Sequence, residues 1–144
     1  MIYFKSLVVL TSALAVSTVE ASLSPWEFGP RIMSIAGPLH SACVFKTGIP
    51  QYLIDNVING IFIDQPLIKS YMTCLFRGSL LVSENGELNY NVMAYLAPEQ
   101  IRDEAISNSK YCEGKLKDIE RMEDKLFQIV KCYYNLNPDI FIFF

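Results

Sequence analysis

Four cysteines, Cys43, Cys74, Cys112 and Cys132, carry most of the chemistry this sequence can offer. An even count in a short chain with a secretory leader points to two disulfides. Four cysteines allow three pairings, and spacing alone does not choose among them. Zinc is the competing use. However, no two cysteines stand as CxxC, and the only histidine, His40, is alone. No metal or cofactor is therefore expected. His40 has no serine or cysteine partner that spacing supports, so it reads as a surface or helix-end residue able at most to respond to pH. The run from Glu113 to Asp124 interleaves acids with lysines and an arginine, the pattern of a solvated helical face. Glu99, Asp103 and Glu104 cluster where a helix starts and suit its dipole. There is no glycine-rich phosphate loop, HExxH or GxSxG. A small secreted hydrolase is disfavoured because no nucleophile–base pair can be named, and an enzyme is not expected.

The first residues read as a leader rather than as part of the fold. Lys5 precedes Ser6 to Ser17, a stretch almost wholly apolar or small, and Val19-Glu20-Ala21 offers small residues for cleavage. That is the form of a secretory signal peptide over 1–21, too short for a comfortable membrane span. The remaining 22–144 suits one extracellular domain with one core. Of the charged residues the leader holds only Lys5 and Glu20, so the net charge of −3 is the same with or without it. A mildly acidic chain argues against nucleic acid as a partner. Its apolar fraction of 51% implies a large core or an apolar cavity.

The elements that must position the cysteines are helices. The central one carries apolar stripes Ile68, Met72, Phe76 and Leu67, Tyr71, Leu75 at helical spacing, and must be mostly buried. Asp64 can cap it, with Pro66 in its first turn, and it ends near Gly78. Before it, a first helix spans Pro25 to about Phe45, with Gly37-Pro38 able to break or kink it. A short second one runs from Pro50, at its first position, to Asn59-Gly60. After a loop through Asn85-Gly86 come a fourth helix from Tyr90 to Leu96 and a fifth from Pro98 to about Gly114. A sixth spans Asp118 to Leu136 and is stopped by Pro138. The tail Ile140 to Phe144 is wholly apolar and must be covered. The fold class is all-α, a compact bundle of about six short helices.

At the cysteines the sequence resembles the insect odorant-binding proteins, the pheromone and general odorant-binding family. The run Cys43-Val44-Phe45-Lys46-Thr47-Gly48-Ile49 is similar to the family's Cys-x-x-x-Thr-Gly-Val. Ser70-Tyr71-Met72-Thr73-Cys74-Leu75 resembles its Cys-Tyr-x-x-Cys-Leu, and Glu123-Asp124-Lys125-Leu126-Phe127 up to Cys132 resembles its Cys-Asp-x-Ala-Phe run. The family's second and fifth cysteines, which pair, would fall at Ser70 and Glu123. Losing both partners of one bridge matches the Minus-C subgroup. The resemblance implies the pairings Cys43–Cys74 and Cys112–Cys132, and implies that Ser70 and Glu123 face each other across a joint without a covalent tie.

It further implies a secreted, non-enzymatic carrier of small hydrophobic ligands, such as odorants, pheromones or related lipids, held in an internal apolar cavity. Its partners would be that ligand and a membrane chemoreceptor, and its state a monomer or weak homodimer. The lining positions expected are Ile68, Met72 and Phe76 from the central helix, Met93 and Leu96 from the fourth, and Ile106 from the fifth. Leu126, Ile129 and Tyr133 come from the sixth, and Ile140 and Phe143 from the tail, as wall, lid or dimer contact. Tyr71 and Tyr133 could give a ligand a polar handle. The rival reading is a secreted interaction protein, a venom or seminal component acting through its apolar tail without a cavity.

Overall fold

The structure, a computed structural model, describes residues 23–144. The leader expected over 1–21 lies outside them. A 3-10 turn, Pro25–Glu27, leads into α1 (Gly29–Thr47), α2 (Gln51–Ile58), α3 (Pro66–Gly78), α4 (Tyr90–Leu96), α5 (Arg102–Lys115) and α6 (Met122–Leu136). A second 3-10 turn, Pro138–Ile140, precedes the extended tail. The described residues contain no sheet, only an isolated antiparallel bridge between Val82 and Leu88. The fold class is all-α, as the sequence indicates.

Local signals explain most boundaries. At the entry to the first 3-10 turn, the Ser24 N–H donates to Glu27 Oε2 at 2.9 Å. Pro30 sits in the first turn of α1, where its missing N–H costs nothing. Gly48, at φ +68°, ends α1 in the left-handed conformation that glycine adopts without strain. Pro66 opens α3, and Asn89 caps α4 by accepting from the Val92 N–H at 3.2 Å. The extended Asn137 before Pro138 closes α6.

Several expectations shift. The helix α1 passes through Gly37-Pro38 unbroken. Pro50 is the residue before α2, not its first. Asp64 does not cap α3, because its carboxylate instead meets the Lys69 ammonium at 2.5 Å, a charged partner stronger than a backbone N–H. Pro98 begins a single tight turn, in which the Ile101 N–H donates to the Pro98 carbonyl at 3.2 Å, and α5 proper starts at Arg102. Asp118 lies in the turn before α6. Leu67 is exposed to 40%; the buried face of α3 is Ile68, Tyr71, Met72 and Leu75.

The helix α3 packs between α1 and α6, and α6 also packs on α5. Both bridges follow these contacts. Cys43–Cys74 ties α1 to α3 with Cα atoms 5.7 Å apart, and Cys112–Cys132 ties α5 to α6 at 5.8 Å. Chain-entropy arguments give each about 3–4 kcal/mol. Around α3 the main core gathers Cys43, Leu53, Ile54, Val57, Phe127, Val130, Phe141 and Phe143. Each fully buried large apolar side chain there stabilises the fold by about 1.5–3 kcal/mol. A second cluster forms about Cys112 and Leu126, and a third about Phe28, Ile32 and Ala36 on α1.

Candidate functional site

Where α1, α3, α4, α5 and α6 converge under the tail they leave a pocket of about 160 Å³. Each wall has a local cause. The last turn of α3 offers Leu75 and Phe76, and Ser79, just past its end, follows one helical turn on. Ile32 and Ile35 of α1 share a face by the same spacing. The helix α5 shows small residues inward, Ala105 and Ser109, so the helices stand close without filling the space. The disulfide Cys112–Cys132 holds that wall against Ile129, Val130 and Tyr133 of α6. Among the described residues no charged side chain lines the pocket.

The tail forms the remaining wall. Ile140, Phe141 and Phe143 are buried, and Phe141 and Phe143 stack at 6.0 Å with nearly parallel rings. Phe141 also meets Tyr134 edge-on at 5.0 Å. Hydrogen bonds fasten the main chain. The Leu23 N–H donates to Phe141 O at 3.3 Å, and the Tyr71 hydroxyl donates to the Phe144 main-chain oxygen at 2.6 Å. Because that proton is committed, His40 Nδ1, 2.7 Å from the same hydroxyl, must be the donor to it. His40 is thus a half-buried residue within α1 with a partner, not a surface or helix-end one. Burial pushes the Tyr71 phenol well above its ordinary range, so it remains a donor. Tyr133 is shifted up likewise, by burial first and the nearby Glu104 charge second.

Of the residues the sequence singles out, Phe76, Met93, Leu96, Ile129, Tyr133, Ile140 and Phe143 stand together in the pocket wall. Four do not. Ile68 and Met72 lie on the first turns of α3, wholly inside the main core. Leu126 is packed against Cys112 in the second cluster. Ile106 is half-buried on α5 outside the wall. Sequence reasoning passed over Ala105 and Ser109; their signal is small residues at i, i+4 and i+7 with Cys112, which marks a buried helix face. It also passed over Leu81 and Leu88, which come from the irregular loop between α3 and α4.

That loop is pinned by Glu113. Its carboxylate accepts from the Leu88 N–H at 2.9 Å and from the Tyr90 hydroxyl. Glu113 therefore does not belong to a solvated face. Burial and this hydrogen bond together raise the Tyr90 phenol above its ordinary range. At the other end of α6, the Ser70 hydroxyl donates to Glu123 Oε1 at 3.4 Å, so the two positions do face each other. Beside them Lys69 binds Asp124 at 2.7 Å.

Comparison with known proteins agrees with this geometry. The B1 and B2 proteins of Tenebrio molitor are each 24% identical over 99 residues, which is 69% of this chain and 75% and 77% of theirs. An odorant-binding protein of Locusta migratoria (lmigOBP1) shares the fold at TM-score 0.67 and 22% identity, over 78% of this chain and 86% of its own. Odorant-binding protein 7 of Anopheles gambiae, with four disulfide bridges and in complex with an azo compound, shares it at TM-score 0.64 and 21% identity, over 77% and 89%. The PBP/GOBP family model matches residues 26–136. With two bridges and no cysteine at 70 or 123, the chain belongs to the PBP/GOBP family as a four-cysteine, Minus-C member.

Proposed function

We propose that the protein is a secreted, non-enzymatic carrier that holds small hydrophobic ligands in the pocket beneath its tail and delivers them, in the manner of an odorant or pheromone carrier, to a membrane chemoreceptor. The observation that carries this reading is an uncharged, largely aliphatic and aromatic pocket of about 160 Å³ in a chain of this family. Secretion rests on the leader read over 1–21 and on the family. Among the described residues no helix is long and apolar enough to cross a membrane. The rival reading, a partner-binding apolar tail, is disfavoured because Ile140, Phe141 and Phe143 are already buried against the bundle.

The pocket's size narrows the cargo. An apolar cavity of about 150 Å³ admits a benzene ring, which favours one-ring or short-chain volatiles over long-chain lipids. Eight buried carbons at about 0.8 kcal/mol each give about 6 kcal/mol, or affinity in the tens of micromolar. Competition among a panel of volatiles and long-chain fatty acids for the purified protein tests this. Saturable binding at that level by one-ring or short-chain compounds is expected. No binding by any of them, with both disulfides formed and the helix content intact, would overturn the carrier reading.

A further inference from the structure

A second concave site lies on the outside of the bundle, between α5 and α6. There an open groove of about 340 Å³ runs beside the Cys112–Cys132 bridge. Tyr111 and Lys115, one turn apart on α5, line one side, and Lys131 and Leu136 of α6 line the other. Leu116 and Cys132 add apolar surface. Tyr111 and Leu136 are large side chains left exposed, so apolar area is open to solvent here.

The charge of this groove is opposite to that of the chain. The protein carries a net charge of −3, yet among the described residues no acid lines the groove. The acids of the two helices are held elsewhere. Glu104 accepts from the Asn137 amide at 2.6 Å. Glu113 is spent on Leu88 and Tyr90, Glu123 on Ser70 and Asp124 on Lys69. Asp103 lies in the first turn of α5. Lys115 and Lys131 make no ion pair with any described residue. Lys115 closes α5, where a cation suits the helix dipole, and its ammonium lies 5.6 Å from the centre of the Tyr111 ring. Lys131 stands before the last turn of α6 and has no such role. Two cations at one partly apolar groove repel each other and attract an anion.

We infer that this groove is a separate site for a medium-chain carboxylate, whose anionic end is held by Lys115 and Lys131 and whose chain lies on Leu116, Cys132 and Leu136. The pocket beneath the tail offers such a ligand no counter-charge among the described residues. The two sites therefore divide cargo by charge, and the groove does not depend on the pocket being occupied.

Sodium octanoate and 1-octanol have chains of equal length and differ in charge. Amide chemical-shift titration of each at pH 7 tests the groove. Octanoate should shift the amides about Tyr111, Lys115 and Lys131 saturably, and octanol should not. The double substitution Lys115→Gln, Lys131→Gln should weaken that binding about three- to tenfold, the worth of two exposed charge contacts. Lys110→Gln with Lys117→Gln removes the same charge outside the groove and should change it by less than about twofold. No saturable octanoate shift there, equal weakening by the two double variants, or octanol binding there as tightly as octanoate would each overturn the site and leave the pocket beneath the tail untouched.

Discussion

Lys69 shows how a single side chain substitutes for covalent chemistry. Its side chain is mostly covered, and its ammonium lies 2.5 Å from Asp64 and 2.7 Å from Asp124 and sits 5.5 Å above the Phe127 ring. The hydrogen bond that it donates to Asp124, then that to Asp64, raises the lysine above its ordinary 10.5. The bond from Lys69 in turn holds Asp124 below its ordinary 3.8. The stabilisation by Asp124 is complete above 3.8 and is lost as pH falls through its lowered value. That by Lys69 is complete below 10.5 and is lost as pH rises through its raised value. Replacing Lys69 with methionine keeps most of the volume and should flatten the acid limb of the stability–pH curve, read by urea unfolding at pH 7 and near pH 3. An acid limb as steep as in the parent would show that the clasp contributes nothing. Little of this was legible beforehand. The sequence offers Lys69 and Asp124 fifty-five positions apart, and His40 and Tyr71 thirty-one apart; periodicity is blind to such partners.

At the scale of elements, the α3–α6 joint distinguishes this chain from six-cysteine relatives. The Ser70 hydroxyl and the Glu123 carboxylate meet at 3.4 Å, a weak contact where a bridge would otherwise lie. The double substitution Ser70→Cys, Glu123→Cys should form a disulfide and raise Tm by about 10 °C, since a bridge closing so long a loop is worth about 3–4 kcal/mol. No rise under oxidising conditions would mean the joint is already rigid. The helices themselves were readable because α2, α3 and α6 each concentrate their apolar residues on one face. Their starts were less so. Pro98 and Asp118 look like helix openers, yet each is spent on a tight turn before the helix. Pro38 looks like a breaker, yet α1 continues past it, and the packing of α1 on α3 and α4 outweighs one lost backbone hydrogen bond.

At the scale of the whole molecule, the pocket is a property of no single element. Five helices, a loop pinned by Glu113 and the tail each contribute part of its wall. Seven wall residues could be named from helical spacing and from the need to cover an apolar tail. Ile68 and Met72 could not be separated from Phe76, because one face of α3 is core at its start and pocket at its end. Burial alone does not reveal where a core stops being filled.

The carrier function requires that ligand occupy this pocket. Ala105 lines it and has no side chain beyond Cβ, so Ala105→Phe places a ring in the space a one-ring ligand would take. Calorimetric titration of ethylbenzene into the parent and this variant, with helix content checked by circular dichroism, is the most direct measurement. Saturable one-to-one binding to the parent and none to a folded variant are expected. Equal binding to both would place the ligand elsewhere and overturn the assignment of this pocket.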